Sequence, residues 1–285
     1  MKQSLKKFRS KLTGLNQEQL IQKMNELAYT QQQIIQKTDF LASFQEELIK
    51  ENNNTESKSK AEFIKTYRYT PDPKNTDFWH GYYNDAEEGA CGQFDQFIKP
   101  IIDKYPDIVY DQCLDFACGF GRIANIFKQY AVSITLCDIN DLAVEQCKKR
   151  FTDWYSENSR VCRFKFNTSD DSLTLPFPDE SFSFIYSWDA MVHFKYKWLD
   201  YYLHEFSRIS KSGAYIMIHH SNYGSINPDM DKSENFEDNP AGRANVTSDD
   251  IAFIAKKHWL DVVEQKVIDW GGVGNLDCIS LLFHP

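Results

Sequence analysis

The feature that most constrains this fold is the alternation of short apolar runs with amphipathic stretches between residues 112 and 220. Apolar runs of roughly four to eight residues indicate buried strands, and longer amphipathic stretches indicate helices. The apolar runs predicted to be strands are QCLDFA (112–117), SITLCD (133–138), CRFKF (162–166), SFSFIYSW (181–188) and AYIMIHH (214–220). The helices predicted in this region lie near 91–103, 121–130, 141–151 and 197–210. Strands that alternate with helices predict an α/β fold with a parallel sheet and helices on both faces.

The C-terminal part of the chain follows a different pattern. A predicted helix near 248–258 is followed by two strand-like runs, DVVEQKVIDW (261–270) and DCISLLFHP (277–285). The turn sequence GGVGN separates these runs, which is close enough for a hairpin. We therefore expect a seven-stranded, mostly parallel, doubly wound sheet with one C-terminal antiparallel strand.

The first 60 residues differ in composition from the rest, and we treat 1–60 and 61–285 as separate domains. Leu20, Leu27, Ile34, Leu41 and Leu48 recur every seven residues, which predicts a long helix over about 17 to 50. The polar stretch 51–60 has the composition of a linker. The apolar stripe is narrow. It fits either an oligomerisation or docking helix, or a plain helix packed on the main domain.

Charge and cysteine usage exclude several classes of protein. The net charge of −9 argues against a general nucleic-acid binder, which needs a basic face. No apolar run approaches the roughly 18 residues that a membrane span requires. The seven cysteines are odd in number, form no CxxC motif and lie mostly within apolar runs. Free thiols of this kind predict a reducing, cytoplasmic compartment.

The strongest motif is CLDFACGFGR (113–122), where an apolar strand runs into a glycine loop and then a helix. Glycines allow a sharp turn and a close approach to a ligand, and a helix N-terminus offers free N–H groups. Asp138 ends the next predicted strand, where a carboxylate can accept hydrogen bonds from both ribose hydroxyls of an adenosine. NAD and S-adenosylmethionine share that ribose, so these two motifs alone fit either cofactor.

Four motifs in order, from about residue 105 to the C-terminus, resemble the class I, seven-stranded S-adenosylmethionine-dependent methyltransferases of the small-molecule branch. LDFACGFGR resembles their glycine motif, and CDIN, which contains Asp138, resembles their ribose-binding strand end. DSLTLPFPDESFSFIYS is similar to the stretch that carries an adenine-contacting acid into the fourth strand. HEFSRISKSGAYIMI is similar to their following helix, turn and fifth strand. The resemblance implies S-adenosylmethionine as the cofactor.

The resemblance also implies which residues bind that cofactor. The residues expected around its methionine part are Asp115, Ala117, Gly119 and Gly121. Those expected at its ribose, adenine and sulfonium are Asp138, then Asp171 with Ser172, then Ser187 with Trp188. Asp170 is an alternative to Asp171. Ala117 stands where glycine is commoner in the family, and its small side chain should still permit binding.

Methyl transfer to a hydroxyl benefits from a general base, and histidines follow two of the strands expected at the cofactor. His193 is the first candidate, because one helical turn would place it beside Asp189, which could orient the imidazole. A histidine that packs against adenine is the alternative. His219 and His220 are further candidates, of which alternation along a strand lets at most one face the pocket. Arg243 and Asn245 are either acceptor contacts or members of a solvated loop.

The sequence thus predicts methyl transfer from S-adenosylmethionine to a small-molecule acceptor, a hydroxyl of a sugar or glycan precursor such as a nucleotide-sugar. The high aromatic content, 15%, suits stacking on sugar rings. The alternatives are an NAD-dependent oxidoreductase, or methylation of nitrogen, carbon or a protein. The spacing of His, Asp and Glu forms no compact metal motif, and we expect no metal. The N-terminal helix predicts a homo-oligomer or a docked partner.

Overall fold

The computed structural model describes residues 76–157, 163–168, 174–227 and 242–285. The N-terminal segment with its predicted helix, and the predicted adenine contacts Asp170, Asp171 and Ser172, lie outside the described residues. The helices are α1 (Thr76–Glu88), α2 (Ala90–Gln93), α3 (Lys99–Lys104), α4 (Arg122–Phe127), α5 (Asp141–Glu157), α6 (Tyr196–Ile209), α7 (Tyr223–Ile226) and α8 (Ser248–Lys257). A π-helical segment, Phe94–Ile98, joins α2 to α3.

Seven strands of the described chain form one mixed sheet in the order β3-β2-β1-β4-β5-β7-β6. Their bounds are β1 (Cys113–Phe116), β2 (Ser133–Asp138), β3 (Arg163–Thr168), β4 (Phe182–Ser187), β5 (Ser210–Ser221), β6 (Asp261–Trp270) and β7 (Val273–Phe283). Strands β1 to β5 pair in parallel, and β7 is antiparallel to both of its neighbours. The predicted α/β fold and the C-terminal antiparallel hairpin are confirmed.

The hairpin between β6 and β7 is tighter than predicted. Trp270 pairs with Val273, so only Gly271 and Gly272 form the turn, and the rest of GGVGN belongs to β7. Both glycines have positive φ, 58° and 81°. Two left-handed residues give a turn whose twist matches that of the flanking strands, and glycine adopts this backbone without a steric penalty.

The central strands are buried on both faces, which is why their sequences read as continuous apolar runs. Leu114 and Phe116 of β1 join one apolar cluster, with side chains from α6 and α8. Phe184 and Tyr186 of β4 join a second cluster, with side chains from α3, α4 and α5. The sheet is therefore the middle of three layers.

The strand order reverses direction between β1 and β4, in the middle of the sheet. The chain moves outward from β1 to β2 and β3 on one side, and from β4 to β5 on the other. In such sheets, ligands bind beyond the carboxyl ends of the strands at this reversal point. The residues after β1, β2, β4 and β5 are therefore where a site should form.

Candidate cofactor and active site

The loop after β1 is built from left-handed residues. Ala117, Gly119 and Gly121 have φ of 56°, 54° and 71°. The amide of Cys118 donates to the carbonyl of Cys137 at 3.1 Å, and the amide of Gly121 donates to the carbonyl of Cys118 at 2.9 Å. These bonds hold the loop against the end of β2, immediately before α4 begins.

The two glycines are required for different reasons. A Cβ at Gly121 would lie 2.8 Å from Phe151 and 3.0 Å from Leu136, so this position lets α5 pack closely on β2. A Cβ at Gly119 would lie 2.9 Å from the ring of Tyr83. The sequence assigned both glycines to the cofactor. The contacts around Gly121 show that it is also a packing position inside the protein, and its contact with the cofactor stays a prediction.

The backbone of Ala117 explains why glycine is commoner at this position. A left-handed alanine costs about 1–2 kcal/mol, and a glycine there would relieve that strain. Glycine also makes the unfolded chain more flexible, which costs about 0.4–1 kcal/mol. We therefore expect Ala117→Gly to change the free energy of unfolding little, with a small net gain, whereas Ala117→Val destabilises the fold. Urea unfolding measures both, and a glycine variant less stable than the valine variant would contradict this account.

Asp138 ties the glycine loop to the end of β2. Its Oδ2 accepts a hydrogen bond from the amide of Gly119 at 2.8 Å, and its Oδ1 accepts one from the amide of Asn140 at 2.8 Å. Burial raises the pKa of the Asp138 carboxyl. Each carboxylate oxygen can accept a second hydrogen bond, so the group keeps the capacity to accept from hydroxyls. Asn140, not Asp138, accepts from the amide of Leu142 at the start of α5.

Ser187 Oγ is buried beside this loop with no hydrogen-bond partner among the described residues, and the Asp115 carboxyl and the Tyr186 hydroxyl are buried next to it and interact with each other. Asp115 and Tyr186 are register partners on β1 and β4, so these atoms lie close to the same edge of the sheet. Burial raises the pKa of Asp115 to about 8. Each unsatisfied buried group costs about 1–3 kcal/mol, and such a cluster indicates a site that a polar ligand completes.

Helix α1 covers the glycine loop, a contact that the sequence analysis did not predict. The Tyr83 ring stacks on Phe120 with centroids 4.1 Å apart. Glu87 pairs with both terminal nitrogens of Arg150, at 2.6 and 2.8 Å. Arg122, the first residue of α4, donates to the carbonyl of Ala86 at 2.9 Å. The loop is therefore held from above by α1 and from below by β2.

Asp189 begins the segment after β4 and has a left-handed backbone with φ of 56°. Its Oδ2 pairs with Nη2 of Arg122 at 2.8 Å, and its Oδ1 lies 3.6 Å from Nη2 of Arg243. Its amide donates to Nδ1 of His219 at 3.2 Å. Asp189 therefore joins the helix after the glycine loop to β5 and to the segment before α8.

His193 lies where the sequence predicted, after β4, but the turn that leads to it differs from the predicted one. Met191–His193 form a 3-10 turn rather than an α-helical turn, so the expected spacing between Asp189 and His193 does not apply. Nδ1 of His193 donates to the carbonyl of Gly242 at 2.8 Å. This tautomer places the imidazole lone pair on Nε2. Burial lowers the pKa of His193, which keeps the ring neutral near pH 7.

His219 and His220 are both fully buried and face opposite sides of β5, and neither fits a general base. His219 donates from Nε2 to Asp277 Oδ2 at 3.1 Å while its Nδ1 accepts from Asp189, so both nitrogens are engaged. His220 Nε2 accepts from the Ser280 hydroxyl at 2.7 Å. Burial lowers the pKa of His220 to about 4. The predicted catalytic role of His219 is therefore corrected, because its side chain is held inside the protein by Asp189 and Asp277.

Three further predicted residues are also buried. Trp188 is 5% exposed, its ring centroid lies 4.5 Å from that of His219, and its Nε1 donates to Gln93 Oε1 at 3.0 Å. Arg243 is 3% exposed and binds Asp277 through Nε at 3.0 Å and Nη2 at 2.7 Å. Asn245 is buried too, and a Cβ at Gly224 would lie 2.9 Å from its Oδ1. Burial of Arg243 and Asn245 contradicts the solvated-loop alternative, and Arg243 forms an ion pair with Asp277.

This sheet order, with a glycine loop after β1 and an acid at the end of β2, defines a Rossmann-like methyltransferase fold. Residues 113–213 match the family model described as a methyltransferase domain. No curated protein matches the chain. The chain therefore contains a methyltransferase domain of the S-adenosylmethionine-dependent type, with S-adenosylmethionine as its cofactor.

Solved structures share this fold at low sequence identity. A protein from Pyrococcus horikoshii OT3 is 18% identical with a TM-score of 0.52, over 68% of this chain and 90% of that chain. An S-adenosylmethionine-dependent methyltransferase from Methanosarcina mazei is 19% identical with a TM-score of 0.50, over 64% and 96%. Another from Clostridium acetobutylicum ATCC 824 is 15% identical with a TM-score of 0.50, over 70% and 98%. These similarities establish the fold.

Proposed function

We propose that this enzyme methylates a hydroxyl group of a small molecule, a sugar or glycan precursor such as a nucleotide-sugar. The observation that carries the cofactor half of this proposal is the cluster of buried polar groups on Asp115, Tyr186 and Ser187, in which Ser187 Oγ has no partner among the described residues. The acceptor half is supported by a neutral histidine after β4 and by the aromatic composition. S-adenosylmethionine supplies a methyl group on a positively charged sulfur.

The residues proposed to hold the cofactor are Asp115, Ser187 and Asp138, with Ala117 and Gly119 forming the loop between them. Asp115 offers a buried oxygen to an amino group, and Ser187 offers a hydroxyl. Asp138 offers two oxygens that already fix the loop and can accept ribose hydroxyls as well. The adenine contact remains the sequence prediction of Asp171 with Ser172.

The base proposed for the acceptor hydroxyl is His193. Its Nδ1 is committed to the carbonyl of Gly242, so Nε2 carries the lone pair that can take a proton. Asp189 does not share this task, because its carboxylate pairs with Arg122. We propose that Asp189 instead shapes the segment that presents His193.

Isothermal titration tests the cofactor directly. S-adenosylmethionine should bind and NAD should not. Burial raises the pKa of Asp115 to about 8, so this group is mostly protonated at pH 7 before binding. A cationic amino group beside it lowers that pKa, and we expect binding to release close to one proton. Titrations in phosphate and in Tris, which differ in ionisation enthalpy, measure the release.

The control for that titration is Asp115→Asn, which has no proton to lose and should bind without release. At pH 9 the parent is already ionised, so its release should also fall towards zero. Tight binding of NAD, or binding of S-adenosylmethionine with no proton release at pH 7, would count against the assigned site.

A mass-based screen tests the acceptor. Nucleotide-sugars and glycan fragments should gain one methyl group, and 2-deoxy or methyl-capped versions of the same compounds serve as matched controls. Methylation of peptides or of amines in the same screen, with none on sugars, would replace the proposed acceptor by one of those classes.

We also propose that residues 1–60 form a docking or oligomerisation element, based on their heptad-spaced apolar residues. Deletion of residues 1–55 should leave a folded, cofactor-binding protein with a smaller oligomeric mass in light scattering. An unchanged number of chains per particle would favour the plain-helix alternative.

The cysteines described as free thiols, five of them buried, are the basis for proposing a reducing, cytoplasmic compartment.

Within the described residues, no helix is long and apolar enough to cross a membrane.

A further inference from the structure

We propose that His219, oriented by Asp277, is a positioning residue that fixes the segment after β4 at the cofactor site. This inference rests on the proposed location of the cofactor at the carboxyl ends of β1 and β4. His219 lies on β5 and Asp277 lies on β7. Neither belongs to the glycine loop or to the acids expected to touch the cofactor.

The bond that does the positioning runs from the backbone of Asp189 to His219. The Asp189 amide donates to Nδ1 at 3.2 Å, and this residue has the left-handed φ of 56°. A non-glycine residue holds such a backbone only where surrounding contacts determine it. Ser187, whose hydroxyl is buried without a partner in the described structure, lies two residues earlier on the same segment. The conformation of Asp189 therefore sets where the end of β4 points.

Asp277 determines which nitrogen of His219 can accept that bond. Its Oδ2 takes a hydrogen bond from Nε2 at 3.1 Å, so the proton of the neutral ring lies on Nε2 and the lone pair on Nδ1. Arg243 in turn holds Asp277 through two bonds, at 3.0 and 2.7 Å. The chain of contacts runs from Arg243 through Asp277 and His219 to the amide of Asp189.

The same segment is tied to the glycine loop by its side chain. Asp189 Oδ2 pairs with Arg122 at 2.8 Å, and Arg122 also donates to the carbonyl of Ala86 on α1. Loss of the backbone anchor at His219 would therefore disturb the end of β4, the first residue of α4 and the cover over the loop together. We expect the affinity for S-adenosylmethionine to report this disturbance.

Two substitutions of His219 separate its two bonds. In asparagine, the amide oxygen can take the place of Nδ1 and accept from Asp189. In glutamine, the amide lies at the level of Nε2 and can contact Asp277 only. We expect His219→Gln to weaken S-adenosylmethionine binding about tenfold or more, and His219→Asn to retain affinity close to that of the parent.

The matched control is His220→Gln. His220 is the next residue on β5, is equally buried and also bonds a side chain of β7, Ser280, but it has no contact with Asp189 among its hydrogen bonds with described residues. Its glutamine variant should bind S-adenosylmethionine like the parent. Equal loss in all three variants would mean that any change in this part of β5 disturbs the site. Equal loss in both His219 variants would assign the effect to the ring, and either result would overturn the proposal.

A ligand-free measurement keeps the proposal testable if a variant fails to fold or if the parent binds no S-adenosylmethionine. Nitrogen-15 NMR of the parent should show His219 as the Nε2-protonated tautomer and a slowly exchanging Asp189 amide. A parent ring protonated on Nδ1 would overturn the proposal without any variant. Failure of the parent to bind S-adenosylmethionine, with this tautomer intact, would instead remove the proposed cofactor site.

Discussion

Replacing Asp138 with alanine is expected to weaken S-adenosylmethionine binding by at least ten- to a hundredfold. A hydrogen bond to a charged group contributes about 1.5–3 kcal/mol, and alanine removes the acceptor proposed for the ribose hydroxyls. The same change frees the amides of Gly119 and Asn140, which both bind this carboxylate at 2.8 Å. The loss therefore combines a missing ligand contact with a loosened glycine loop.

Two controls separate these contributions in the titration. Asp138→Asn keeps one amide oxygen that can hold either the loop or a hydroxyl, and should give intermediate affinity. Asp200→Asn changes an acid that pairs with Lys257 and His258 elsewhere, and should bind like the parent. Gly119→Val should also weaken binding, because a side chain there meets Tyr83 at a left-handed backbone. Parent-like affinity of Asp138→Ala would refute the ribose assignment.

The elements of this fold could be predicted because the central strands are buried on both faces. β2 runs from Ser133 to Asp138, as the apolar run predicted, and is buried along almost all of its length. A strand between two helical layers needs apolar residues at every position, and that signal is local in sequence. The ends of the elements were predicted less accurately. The sequence analysis took GGVGN as the turn, whereas only Gly271 and Gly272 form it.

The contacts of the site could not be predicted in the same way, since they depend on residues far apart in the chain. His219 and Asp277 are separated by 58 positions, and Arg122 and Asp189 by 67. No sequence pattern links such pairs, although Asp277 at the start of a predicted strand was a polar residue in an apolar run. The local structure before His193 was also predicted wrongly. An α-helical turn was expected to place His193 beside Asp189, and Met191–His193 form a 3-10 turn instead.

Replacing His193 with alanine is expected to lower the rate of methyl transfer by about 10²–10⁴-fold, the usual contribution of a general base. Affinity for S-adenosylmethionine should stay nearly constant, since Nδ1 of this ring donates to the carbonyl of Gly242, in the segment before α8, and His193 is not among the residues proposed to hold the cofactor. Single-turnover rates with the acceptor identified by the mass screen measure the first effect, and titration measures the second. His204→Ala, at a surface histidine, is the matched control.

The pH dependence of the parent provides a second test of His193. A base acts in its neutral form, so the rate should rise with pH as the imidazolium loses its proton. Burial lowers the pKa of His193 from the usual 6.5, which moves this rise to more acidic pH than that of an exposed histidine. The alanine variant should lose this rise along with the rate. If the substitution lowers cofactor affinity and turnover equally, His193 is a wall of the pocket. If it changes neither, the acceptor needs no base from this residue. His219 and His220 cannot replace it, because their side chains are bonded to Asp277 and Ser280. The acceptor would then lose its proton to water or to a basic group of its own.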